Sequence, residues 1–432
     1  MPVNRATSRS SLSKAITAVA VGVLLLVSGC GGSSNSTATG TGTGTGTPGS
    51  SSSAPAAQPS GAPLKTSTIS AVDYNGPTYE SIQVVAKIYA KYINDKGGIN
   101  GRPLQVLTCD DKGDPTQTEA CARKAIGEGA VADVGTFTYN QSVMVPLYDK
   151  AHTAVFGNCC NLAPIEFSTP NTFQMGNNPI LNPAGVAKAV QDGCKHIAVL
   201  ALDLPGITEG ITRLMDNMAK AYGYQGKVKY IKVPLTTQDY TAQVAQATDG
   251  TDCISMFLSE SNISGLMPAF AQTGGKQRLY GAQGNFDKVS TKGYETQPGV
   301  ADGVVYGAYP PLQNPVWGDF RAALKKYGAP SKFEYNSLAA LGTWAAYTGF
   351  TQIAESVKGE LSPASFLTAA GTAKVDTGGM TPPIDFTKTW DAFNGQFKRD
   401  FNRKATYFKL KDSTQIGDTF VDLQNAAEGK GK

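Results

Sequence analysis

Between Thr78 and Lys96 the apolar residues Ile82, Val85, Ala86, Tyr89, Ala90 and Ile93 recur every three or four positions, the spacing that lines one face of an α-helix. Gly97-Gly98 then offers a left-handed stop, because glycine enters that backbone region at no steric cost. Short apolar runs surround this helix. A strand is expected around Ile69, another over Leu104 to Cys109, a second helix over Thr116 to Glu128 and a strand over Val131 to Val134. Strands that alternate with helices argue for a parallel α/β sheet.

The same pattern restarts beyond Pro183. A strand His196 to Leu200 leads through a loop, Asp203 to Thr208, into a helix carrying Ile211, Leu214, Met215, Met218, Ala219 and Tyr222 at helical spacing. Further strands are expected at Lys227 to Val233, Cys253 to Leu258, Leu279 to Gly281 and Val304 to Gly307. After Pro310-Pro311 come helical stretches at Val316 to Lys326, Leu338 to Glu355 and Pro363 to Ala370, and a last strand at Ala405 to Lys411. A restarted strand-helix alternation favours two similar α/β lobes.

The N-terminal part is of another kind. Arg5, Arg9 and Lys14 precede the apolar run Ala15 to Val27, too short to span a bilayer comfortably, so residues 1–29 read as a signal peptide. Leu26-Val27-Ser28-Gly29-Cys30 resembles the lipobox of bacterial lipoproteins. That resemblance implies cleavage before Cys30 and lipidation, palmitate included, of its thiol and new amino group. Residues 30–63, rich in Gly, Ser, Thr, Ala and Pro, cannot bury enough apolar surface to offset the entropy of ordering, and read as a tether. The GxGxxG match at Gly44 to Gly49 has no strand before it and no helix after it, so it is accidental.

Charge excludes some partners. Three of the 38 basic residues belong to the leader, leaving 35 against 34 acidic groups, a balance that does not point to nucleic acid. Six cysteines follow Cys30, and an even number in an exported chain favours disulfides. No CxxC motif occurs, and neither His152 nor His196 stands at ligand spacing from a cysteine pair, so no metal is expected. Cys109 ends a strand whose loop leads into the helix holding Cys121, and Cys194 and Cys253 each stand at the start of a strand. Those four are expected to pair Cys109 with Cys121 and Cys194 with Cys253. Cys159 and Cys160 then have each other, an external partner or the free state. An oxidising compartment favours a vicinal disulfide, and a reduced, partly buried pair stays open. GxSxG and HExxH are absent and neither histidine sits in a catalytic context, so no enzyme and no cofactor are expected.

Ala86 to Ile126, "AKIYAKYINDKGGINGRPLQVLTCDDKGDPTQTEACARKAI", resembles the opening of type I periplasmic binding proteins, the branched-chain amino acid receptor group of ABC transporters. Ile93-Asn94-x-x-Gly97-Gly98-Ile99-Asn100-Gly101-Arg102 and Asp110-Asp111-x-x-Asp114-Pro115 carry the likeness, which extends through Val134 to Gln141, "VGTFTYNQ", and Met380 to Trp390, "MTPPIDFTKTW". The resemblance implies an α/β fold of two lobes with parallel central sheets joined by three crossover segments and closing on a small solute. The expected lobes are residues 64–182 with 308–371 and residues 183–307 with 372–432.

The resemblance also implies where the solute sits. In the first lobe the candidates are Asn75, Thr138, Tyr139 and Asn140, with Cys159, Cys160 and Asn161. In the second they are Leu204, Ser259, Glu260, Gln283 and Asn285. Tyr139 and Asn140 stand where the family commonly has a small Ser or Gly pair, and Cys160-Asn161 where Ala-Thr is common. Receptors for amino acids place an aromatic where this chain has Leu204-Pro205 and a carboxylate near the neutral Gln283. The reading therefore favours a carboxylate or amide-like solute independent of an ammonium, with Glu260 keeping amino acids open. The implied function is an extracytoplasmic receptor, lipid-anchored at the cell membrane through Cys30, monomeric, delivering its solute to an ABC permease and ATPase. The alternative is a ligand-sensing module of the same fold.

Overall fold

The computed structural model describes residues 58–160, 163–204, 208–234 and 236–431. The leader, Cys30 and most of the tether lie outside these. Among the described residues no helix is long and apolar enough to cross a membrane.

The first sheet comprises β1 (Leu64–Ser70), β2 (Leu104–Asp110), β3 (Ala132–Val134), β4 (Ala154–Phe156) and β5 (Thr172–Phe173), all parallel, in the order β2-β1-β3-β4-β5. Between them run α1 (Glu80–Asp95), α2 (Pro115–Gly127), α3 (Gln141–Lys150) and the short α4 (Ile165–Ser168). The face of α1 picked out by its spacing is buried, and Gly97 and Gly98 follow it at φ 103° and 72°. Helix α2 starts on Asp114, whose carboxylate accepts from Gln117 N at 2.9 Å, with Pro115 in the first turn, where its missing N–H costs nothing.

The second sheet repeats this order. Helix α5 (Asn178–Gln191) leads into β6 (Ile197–Leu202), α6 (Thr208–Ala221), β7 (Lys229–Val233), α7 (Thr241–Thr248), β8 (Cys253–Phe257), α8 (Glu260–Gln272), β9 (Arg278–Ala282), α9 (Pro298–Ala301) and β10 (Val304–Gly307). The chain then packs α10 (Gly318–Lys326), α11 (Leu338–Ser356) and α12 (Pro363–Thr372) with the first sheet and α1. A small ladder, β11 (Lys374–Val375) with β12 (Ile384–Asp385), precedes the return to the second sheet as β13 (Lys404–Lys409), β14 (Val421–Asp422) and α13 (Gln424–Ala427). The second sheet reads β14-β13-β10-β9-β8-β6-β7, with β13 antiparallel to both neighbours. Two lobes with parallel central sheets and three crossovers are thus the architecture.

Three of the helices that the spacing does not announce, α3, α5 and α8, hold Pro146, Pro183 and Pro268 inside them. Proline in a helical pattern reads as a break, because it removes a donor and clashes with the preceding turn. Tertiary packing overrides that cost here. Helix α5 is buried from Pro179 to Ala189 against β8, β9, β10 and α6, so it lacks the one-sided stripe that marks a surface helix.

Helix α11 is buried almost all round, and its Trp344 meets Tyr89 of α1 at 4.9 Å and Phe320 of α10 at 4.9 Å between ring centroids. Burying each such side chain contributes roughly 1.5–3 kcal/mol. Side-chain amides stitch the crossovers together. Asn177 donates to Gly307 O at 3.4 Å and to Lys404 O at 2.6 Å, and Asn402 donates to Met175 O at 3.1 Å.

Candidate ligand-binding cleft

In open α/β sheets, ligands bind outside the carboxyl ends of the strands, where neighbouring connections diverge to opposite faces. In the first sheet that point lies between β1 and β3, and in the second between β6 and β8. It selects the segments after Ser70 and Val134 in one lobe, and after Leu202 and Phe257 in the other.

The first-lobe segments carry a cluster of rings. Tyr79 and Phe137 lie 4.2 Å apart, Phe137 and Tyr139 5.0 Å, and Tyr74 and Tyr139 5.3 Å. Tyr74 and Tyr139 keep 38% and 40% of their surface exposed, and Tyr139 is steadied by donating to Pro77 O at 2.9 Å. Gly113 is required here, because a Cβ on it would stand 2.6 Å from the Tyr74 ring and its φ is +64°.

Behind the rings lies a polar scaffold. Thr118 and Thr138 both donate their hydroxyls to Oδ2 of the buried Asp111, Asn140 N donates to Thr138 Oγ1 at 3.1 Å, and Asn140 Nδ2 donates to Thr118 Oγ1 at 3.0 Å. Two of the expected ligand contacts, Thr138 and Asn140, are therefore engaged in holding up their own loop. Asn75 is exposed beside Tyr74. Thr136, which the sequence reading did not single out, joins three strand ends: its hydroxyl accepts Ile69 N at 2.9 Å and donates to Asp133 at 2.8 Å, and its carbonyl accepts Cys159 N at 3.0 Å.

Cys159 and Cys160 are joined in a vicinal disulfide, Cys109 is bonded to Cys121 and Cys194 to Cys253. Cys159 is buried, and Cys160, half-buried, takes a φ of 59°. Asn161 lies outside the described residues. Next to the pair, Asn158 is 2% exposed and leaves both side-chain polar atoms without a partner, as does Gln141 at 3%. Most buried amides find partners, so these two are candidate binding groups that the sequence reading missed. Unremarkable loop asparagines and glutamines carry no signal of burial.

In the second lobe Leu204 is half-buried, its N–H donating to Thr208 Oγ1 at 3.0 Å. Ser259 caps α8 in a reciprocal box with Asn262, Asn285 donates to Leu258 O at 3.0 Å, and Gln283, 1% exposed, donates to Asn336 Oδ1 at 3.3 Å while its Oε1 has no partner. Asn336 also accepts Leu312 N at 2.8 Å, so Gln283 is tied to the second crossover.

Glu260 is not alone. Burial first, then the negative charges of Asp287 and Glu334, push its carboxyl up to about 7. Burial also raises Asp287 and Glu334, the latter with a contribution from Asp287 that Lys288 opposes. Asp287 Oδ2 is buried without a partner, and Asp287, Lys288, Glu334 and Asn336 border a pocket backed by Phe286, Leu312 and Phe408. The lobes meet at this end: burial, with a smaller contribution from the charge of Glu260, pushes the Tyr79 phenol up to about 12. Glu260 and Asp287 come from the second lobe, and Glu334 from the segment beyond the second crossover that packs with the first, where Lys332 pairs with Glu80 of α1.

A model of the periplasmic binding protein family matches residues 73–402. No curated protein sequence matches the chain. Among solved structures, an extracellular ligand-binding receptor from Verminephrobacter eiseniae superposes with TM-score 0.66 at 19% identity, covering 82% of this chain and all of its own. A fatty acid ABC transporter substrate-binding protein from Thermomonospora curvata gives TM-score 0.68 at 15% identity over 86% of this chain and 96% of its own. An ABC transporter solute binding protein from R. palustris, in complex with benzoate, gives 0.61 at 18% identity over 84% and 98%. At these identities the likeness is one of fold. With its family match spanning well over half the sequence, the chain belongs to the type I periplasmic binding proteins, the extracytoplasmic solute-binding proteins of ABC transporters.

Proposed function

We propose that this protein is a monomeric, lipid-anchored receptor that captures a small polar organic solute, an amino acid, carboxylate or amide-like molecule, and delivers it to an ABC permease and its ATPase. The observation that carries this reading is the pair of sheets with the same strand order, whose carboxyl ends face one cleft lined by Tyr79 and Tyr139 on one side and Glu260 on the other. Closure swings the lobes about crossovers that we set at residues 174–177, 308–314 and 386–403, in place of the breaks after 182, 307 and 371 read from the sequence, and α5 travels with the second lobe, on whose sheet it packs. Tyr139 and Cys160 offer contacts from the first lobe, and Leu204 and Glu260 from the second.

A thermal-shift screen of amino acids, small carboxylates, amides and aromatic acids tests the reading, because a ligand of the native state alone raises stability by mass action. The expected result is a hit that also compacts the protein in small-angle X-ray scattering. Compaction by no solute in such a screen would sink it. The anchor is tested separately: Cys30→Ala is expected to release the protein from the membrane fraction, and an unmodified thiol on mature Cys30 overturns that part.

A further inference from the structure

We propose that the solute is an organic cation, with its ammonium or guanidinium group among Glu260, Asp287 and Glu334 and its apolar body against Tyr79 and Tyr139. This rests on the receptor reading above and narrows it.

The carboxylate side is short of donors. Among the described residues none of the three carboxylates forms an ion pair; Lys332 is engaged by Glu80 at 2.7 Å, Lys288 lines the pocket but is exposed and pairs with none of them, and Glu334 accepts only Asn336 N, at 2.5 Å. Asp287 spends Oδ1 on Val289 N and Ser290 N at 2.9 and 2.8 Å and leaves Oδ2 buried and unpartnered. Gln283, 1% exposed, turns its amide to Asn336 on the pocket wall and leaves its Oε1, an acceptor, unpartnered too. Acceptors lacking donors beside crowded negative charges call for a ligand that is all donor and positive. An ammonium brings three N–H groups and a guanidinium five, whereas a carboxylate solute would add a fourth like charge.

The rings of the first lobe suit the rest of such a molecule. Ring faces carry negative electrostatic potential, so a cation within about 6 Å of them is attracted and its hydrocarbon body packs on the same surface. Tyr74 and Tyr139 are the aromatic residues that stay exposed among the described ones, and both stand at this cleft. This departs from the expectation of an ammonium-free solute, which rested on the neutral Gln283 and on Leu204-Pro205 in place of an aromatic; the charge comes from residues 260, 287 and 334 instead.

Titration calorimetry on the full-length protein at pH 8 tests the inference, with agmatine, phenethylamine and benzylamine set against benzoate, phenylacetamide and leucine. At least one cation is expected to bind with a Kd about tenfold or more below those of the other three probes, and Glu260→Gln to weaken it about tenfold. Thermal unfolding shows whether that variant folds, and Asp287→Asn gives the same readout should it not. Tighter binding of benzoate, phenylacetamide or leucine, failure of every cation to bind, or undiminished cation affinity in the folded variant overturns the proposal. Compaction by an anionic or neutral probe would do so while leaving the receptor reading standing.

Discussion

Asn177, in the first crossover, donates its side-chain amide to the carbonyl of Lys404, at the end of the third, at 2.6 Å, and the same nitrogen reaches Gly307 O at the start of the second. One fully buried side chain in the first connection thus holds the strand residues next to which the second begins and the third ends. Asn177→Ala leaves both carbonyls without that donor. We expect a stability loss of about 1–3 kcal/mol, read from chemical denaturation, and a broadened inter-lobe distance distribution by spin labelling of the two lobes. An unchanged distribution would show that packing alone defines the hinge.

The three disulfides separate in their effects. Cys194 and Cys253 enclose a separation of 59 residues, and replacing both by Ser is expected to cost about 4 kcal/mol of stability. Cys159 and Cys160 are adjacent and enclose almost nothing of the unfolded chain. Their double Ser variant is expected to lower the melting temperature little and to weaken solute binding, because it frees the loop next to Asn158. Alkylation without reductant that placed two groups on the peptide holding the pair would contradict the bond.

Asp133 gives the first lobe a pH dependence. Its Oδ1 accepts from Ser67 and Thr136, each at 2.8 Å, but complete burial outweighs these and pushes its carboxyl from 3.8 up to about 7. The folded state therefore binds a proton more readily than the unfolded one. Its contribution to stability is full below about pH 4 and is lost as pH rises through about 7. Asp400, fully buried and raised to about 8, acts in the same sense. Urea unfolding between pH 5 and 8 is expected to show falling stability in the wild type and a shallower fall in Asp133→Asn. A parallel slope in the variant would assign the dependence to other groups.

Much of the scaffold was legible because it is local. The spacing over Ile82 to Ile93 marks the buried face of α1, Gly97-Gly98 marks its end, and Asp114-Pro115 marks the start of α2. Even the pairing of Cys194 with Cys253 followed from strand starts, since β6 and β8 are neighbours with Ile197 opposite Cys253. Helices α3, α5 and α8 were not legible, because proline inside each sends the opposite local signal and only tertiary packing overrules it.

The site divides along the same line. By itself the sequence determined that Tyr139 and Glu260 stand just beyond strands at the carboxyl ends of two α/β lobes, because hydrophobic period and turn residues report on the faces and ends of single elements. The tertiary structure alone decided that Thr138 and Asn140 support their own loop, that Gln283 reaches Asn336, which holds the second crossover at Leu312, and that Glu260, Asp287 and Glu334 come together near Tyr79. Those encounters join segments far apart along the chain. They depend on sheet order and on how three crossovers set one lobe against the other, and no local pattern encodes either.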